Sequence, residues 1–89
     1  MQVQFIRNIQ FTKVLKADGR MREFNFRKPN GHQEGIFTVD VSDDRGNRII
    51  FKMQKEDKIW KIVPQPLPAW VTDNEMVLHD LIEEEMKNN

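Results

Sequence analysis

The chain has 89 residues, 38% of them apolar, and 14 Lys+Arg balance 14 Asp+Glu. That length makes one domain, 1–89, and excludes a doubly wound nucleotide fold with a second domain, and any barrel enzyme. A formal net charge of zero provides no global field toward nucleic acid or a membrane.

Cysteine is absent, which excludes disulfide staples and thiolate chemistry. Met1–Arg7 shows no apolar stretch of the kind a secretion signal needs, and no run approaches a membrane span. The expected location is cytoplasmic. Charge is split along the chain. Residues 1–63 hold 13 basic and 8 acidic side chains, against one and six in residues 64–89. The basic part reads as strands and the acidic part as a helix.

Asp18-Gly19 separates two strand-like runs, Ile9–Lys16 and Met21–Lys28. Asp-Gly favours a two-residue turn with positive φ at both positions. That turn pairs Ala17 with Arg20, sets Phe11 opposite Phe26, and sets Lys13 opposite Phe24. Ile9, Phe11, Leu15, Phe24 and Phe26 then share one face, with Gln10, Thr12, Glu23, Asn25 and Arg27 on the other. Pro29–Gly35 reads as a longer polar loop, and residues 2–7 extend the first strand or form a short element of their own.

The next hairpin joins Ile36–Asp43 to Asn47–Gln54 through Asp44-Arg45-Gly46, with Gly46 supplying the left-handed third residue. Its register pairs Val41 with Ile49, Val39 with Phe51 and Phe37 with Met53. A last hairpin, turning at Glu56-Asp57, pairs Met53 with Trp60 and Phe51 with Ile62. The strands lie within 1–63, and a proline-rich connector over 64–70 ends them. Thr72-Asp73-Asn74-Glu75 matches a capping box, with Val71 and Met76 at the staple positions, and predicts a helix over about 72–87. Leu78, Leu81, Ile82 and Met86 form its apolar stripe. The expected fold is α+β: a four- to five-stranded antiparallel β-meander with one C-terminal α-helix packed on one face.

Phe11, Phe24, Phe26, Phe37, Phe51 and Trp60 fall on the helix-facing side and read as core. The opposite face is left open, with expected rows Ile36–Gln54–Ile59, Thr38–Lys52–Lys61 and Asp40–Ile50–Val63. Aliphatic side chains set among cations point to a contact surface. Ile36, Ile50, Ile59 and Val63 are its expected contacts, with Arg27, Lys52 and Lys61 setting orientation.

Little points to catalysis. Ser42 is the sole serine and has no nucleophile motif around it, the glycines are scattered in turns, and His32 and His79 lie far apart. His79 reads as a helix-surface side chain. No cofactor and no metal are expected, and the protein is expected not to be an enzyme. The expected function is a small protein-interaction module using the open sheet face, with a second copy of the chain as the simplest partner and no membrane contact. The alternative is single-stranded nucleic-acid binding through Arg27, Arg48, Lys52 and Lys61, helped by the positive sheet half with Arg20, Arg22 and Lys28. Strands followed by one helix resemble the PUR repeat of single-strand binders in element order. Such binders add exposed aromatics for base stacking, whereas these registers turn the strand aromatics inward. A third reading is a small ligand, or a minor enzymatic role, in a helix–sheet pocket holding a perturbed carboxylate or His79.

Overall fold

A computed structural model of the chain describes residues 9–28 and 35–87. The possible element at residues 2–7, the loop from Pro29 to Glu34 and His32 lie outside the described residues. The described elements run β1 (Ile9–Ala17), β2 (Arg20–Lys28), β3 (Ile36–Ser42), β4 (Arg48–Glu56), β5 (Ile59–Ile62), α1 (Ala69–Thr72) and α2 (Glu75–Lys87). The five strands form one antiparallel sheet in the order β1-β2-β3-β4-β5, a meander with C-terminal helices.

Turn chemistry accounts for two of the registers. Asp18 and Gly19 sit at φ 54° and 74°, and Phe11 lies opposite Phe26 as expected. Gly46 takes φ 82° in the β3–β4 turn, and Val39 faces Phe51. Asp43 organises that turn by accepting the N–H groups of Arg45 and Asn47 at 2.9 and 2.8 Å. The Asn47 N–H above all holds the Asp43 carboxyl below its ordinary pKa.

The last hairpin differs from expectation. It turns at Asp57-Lys58, with φ 53° and 73°, so Met53 pairs with Ile62 and Lys55 with Trp60. Asp tolerates the left-handed first position better than Glu does. Moving the turn by one residue shifts the pairing by two, which keeps every face and changes every row. The rows become Ile36–Gln54–Lys61 and Thr38–Lys52, the latter continued by the Val63 N–H to the Lys52 carbonyl at 2.8 Å. Ile59 moves opposite Glu56. Beside Asp40 and Ile50, the Gln65 amide donates to the Ile50 carbonyl at 3.1 Å.

The helix start also differs. Thr72 does not cap α2, because its N–H already bonds the Pro68 carbonyl and its hydroxyl donates to Ala69 within α1. The Asn74 carbonyl accepts the Leu78 N–H, and α2 begins at Glu75. Val71 is buried while Met76 is 57% exposed, so the staple is absent. The stripe survives: Leu78 and Ile82 are buried, with Leu81 and Met86 packed beside them.

The core lies between the sheet and the helices. Phe24, Phe26, Phe37, Phe51, Met53 and Trp60 meet Val71, Leu78 and Ile82. Phe11 stacks on Phe26 at 4.6 Å, and Phe37 meets the edges of Phe11 and Trp60 at 5.8 and 5.2 Å. Lys13, Arg22 and Lys55 share this face. Lys13 pairs with Glu85 at 3.5 Å. Arg22, opposite Leu15, is 7% exposed.

Candidate interaction face

The free sheet face is built by alternation. With odd positions of β1, β3 and β4 committed to the core, even ones emerge opposite, together with Glu23, Asn25 and Arg27 of β2. Asn25, Asp40 and Arg27 are brought together where β2 and β3 pair, Asn25 against Asp40 and Arg27 against Thr38.

Asp40 is the centre. It is 5% exposed, although no helix covers it. The Asn25 amide donates to Asp40 Oδ1 at 3.0 Å, and Asn25 Oδ1 accepts the Thr12 hydroxyl at 2.6 Å. Arg27 and Arg48 approach the carboxylate at 3.5 and 4.0 Å. These groups, with Gln10, line a shallow depression of about 360 Å³. The chain Thr12–Asn25–Asp40 crosses three strands and holds the carboxylate in place between the two guanidinium groups. Among the described residues, no group of three or more His, Cys, Asp or Glu could hold a metal ion.

The expected contact residues are spread by the shifted β5 register. Ile50 is 50% exposed, whereas Ile36, Ile59 and Val63 are half-buried. Val63 lies one row from Ile50, Ile36 lies in the row beyond Val63, and Ile59 sits at the hairpin end. Lys52 and Lys61 are exposed, as is Arg48. Sequence reasoning missed the Asp40 cluster and Met21, which with Val14 is among the more exposed apolar side chains of this face. Strand parity puts all of them there, but the β2–β3 register that joins them follows Pro29–Gly35, a loop too long for its residues to set the pairing.

Of the cations assigned to a nucleic-acid surface, Arg22 is misplaced. Its register puts it on the core face, where Nε donates to the Ala17 carbonyl at 2.9 Å and Nη2 meets Asp44 at 3.0 Å. Its guanidinium lies 4.2 Å from the centre of the Trp70 ring. All aromatic side chains of the described strands point away from the open face.

Nor is His79 a surface side chain, and acidic side chains of α2 reach the sheet edge. His79 is half-buried and its Nδ1 accepts the Trp60 N–H at 3.0 Å, which puts the ring proton on Nε2. Glu75 Oε2 accepts the Ile62 N–H at 2.8 Å. Glu83 accepts the Trp60 indole N–H at 2.9 Å and pairs with Lys55 at 3.5 Å. The indole donor first, then the Lys55 charge, hold the Glu83 carboxyl below its ordinary pKa of 4.5. A lowered folded-state pKa contributes stability above the ordinary value and loses it as pH falls through the lowered one. Glu83→Gln is therefore expected to be less stable than wild type at pH 6, with the gap closing toward pH 3. Urea unfolding of both proteins at the two pH values measures it.

No helix among the described residues is long and apolar enough to cross a membrane. No protein-family model matches this chain, and no curated protein and no solved structure matches it.

Proposed function

We propose that the protein is a non-enzymatic interaction module that binds a protein partner through the open sheet face. The supporting observation is the contrast between the faces: one is consumed by the core, while the other sets half-exposed Ile50 beside the held Asp40 carboxylate and the arginines that flank it, Arg27 and Arg48. A held carboxylate between two cations orients a partner, and an aliphatic side chain beside it supplies apolar contact. Ile50 with Val63 is the apolar centre, Arg27, Lys52 and Lys61 set orientation, and Ile36 and Ile59 lie at the margin. Single-stranded nucleic acid is the weaker reading, since this face offers cations without an aromatic among the described residues on which bases could stack.

Selection of a displayed random-peptide library on the immobilised chain tests the proposal. Enriched peptides are expected to lose binding on Ile50→Glu and to keep it on Val77→Glu, an exposed position of α2. Peptides indifferent to Ile50→Glu overturn the reading. So does micromolar binding of a labelled mixed-sequence single strand with a steep salt dependence, weakened by Arg48→Ala and Lys52→Ala.

A further inference from the structure

The two edges of the sheet are finished differently. An antiparallel strand bonds its neighbour through alternate residues and directs the remaining N–H and C=O groups outward. In β5 the inward set includes Val63, whose N–H bonds the Lys52 carbonyl, so Trp60 and Ile62 point outward. Both of their N–H groups are capped from α2, by His79 and Glu75. That edge is closed to a further strand.

The same rule applied to β1 gives another result. The Asp18-Gly19 turn is closed by the hydrogen-bonded pair Ala17 and Arg20, so the odd residues of β1 bond β2. Gln10, Thr12, Val14 and Lys16 direct their backbone groups outward. Among the described residues no strand and no side-chain cap meets them. This edge is nine residues long, and an edge of that length is a template for strand addition. The lysine that would blunt it on the helix side, Lys13, is turned onto Glu85. On the same side Ile9, Phe11 and Leu15 are only partly buried against the core.

We infer that β1 is a homodimer edge, at which a second copy of this chain adds antiparallel across a two-fold axis. A register centred on Thr12 satisfies the outward groups of Gln10, Thr12 and Val14 and keeps the lysines apart. With Thr12 on the axis, Gln10 lies opposite Val14 of the second copy, Phe11 opposite Lys13, and Ile9 opposite Leu15. No cation faces a cation directly across the edge, and Ile9 and Leu15 meet their counterparts on either side of the two Phe11–Lys13 pairs. The sheet becomes ten-stranded, with both outer edges capped by α2. This inference is independent of the open-face reading, because it uses backbone groups of an edge strand and leaves Ile50 free.

Sedimentation equilibrium on the full chain, from low to high micromolar, tests it. The apparent mass is expected to rise from 10.6 kDa toward twice that value. Val14→Pro removes an outward N–H and no bond to β2, a substitution an edge strand accepts. It is expected to keep the circular dichroism of the wild type and to stay monomeric, whereas Ile50→Glu should dimerise normally. Residue-resolved hydrogen exchange gives a second readout that needs no variant. The amides of Gln10, Thr12, Val14 and Lys16 should exchange fast in the monomer and become protected as the dimer forms, while the odd positions of β1 stay protected throughout. If Val14→Pro does not fold, this exchange pattern decides. A wild type monomeric at every concentration overturns the inference. So does a folded Val14→Pro that still dimerises, or protection of the even amides in the monomer.

Discussion

Phe37→Ala is expected to destabilise the protein by about 3–5 kcal/mol, the usual cost of a large cavity where an aromatic is fully buried. Phe37 is 0% exposed, sits on the central strand, and meets the edges of both Phe11 and Trp60. Its removal therefore leaves two other rings without a packing partner. For a domain of this length total stability is roughly 4–13 kcal/mol. The loss is thus between about a quarter of the total and all of it, and the variant should be largely unfolded if the wild type lies at the low end. Urea titration followed by circular dichroism measures it, and an unchanged m-value would show that the compactness of the end states is the same. Phe37→Leu, which fills part of the space, should lose distinctly less. If alanine costs under about 1 kcal/mol, the site has collapsed around the gap, and the aromatic cluster is not what anchors the sheet to α2.

What the sequence made legible follows from where local chemistry decides the outcome. Asp18-Gly19 and Gly46 each leave one low-strain turn, so the β1–β2 and β3–β4 registers, and with them the inward set of phenylalanines, could be read directly. The last hairpin has no glycine. Glu56-Asp57 and Asp57-Lys58 compete there, and long-range partners favour the second: it stacks Lys55 near the Trp60 ring and aims the outward N–H groups of β5 at α2. The capping box failed for a related reason. Glu75 had the right spacing to reach back to Thr72, but a strand-edge N–H at Ile62 took its carboxylate. His79 carries no sign in its neighbours of the bond it makes, although helical spacing does place it on the flank shared by Glu75 and Glu83. The centre of the candidate face was hidden because Asp40 meets Asn25 and Arg27 across β2 and β3, a pairing that the long Pro29–Gly35 connection does not set.

Arg22 is where charge misled the sequence reading, and Arg22→Ala is the second large effect. Parity places it opposite Leu15, in the core layer, and the structure surrounds it on every side. Nε and Nη1 donate to the carbonyls of Ala17 and Ser42, Nη2 pairs with Asp44, and the guanidinium covers Trp70, whose ring meets Phe24 edge-on at 6.5 Å. Alanine would remove the charged second donor from the buried Ala17 carbonyl and uncover the Trp70 face, and a loss of about 2–4 kcal/mol is expected. Asp44, which is half-exposed, regains water and limits the cost. Arg20 offers an internal control. It reaches the same Asp44 oxygen at 3.5 Å, but its side chain is 68% exposed. Arg20→Ala should change stability by no more than about 0.5 kcal/mol. Arg22→Lys separates charge from geometry, because a single ammonium cannot serve Ala17, Ser42 and Asp44 at once, and it should recover only part of the loss. Moderate salt should leave the ranking of the variants unchanged, since a buried ion is poorly screened. If Arg22→Lys is as stable as the wild type, the planar fork is not what holds β2, β3 and α1 together. If Arg22→Ala costs no more than Arg20→Ala, the buried guanidinium contributes nothing net to the fold.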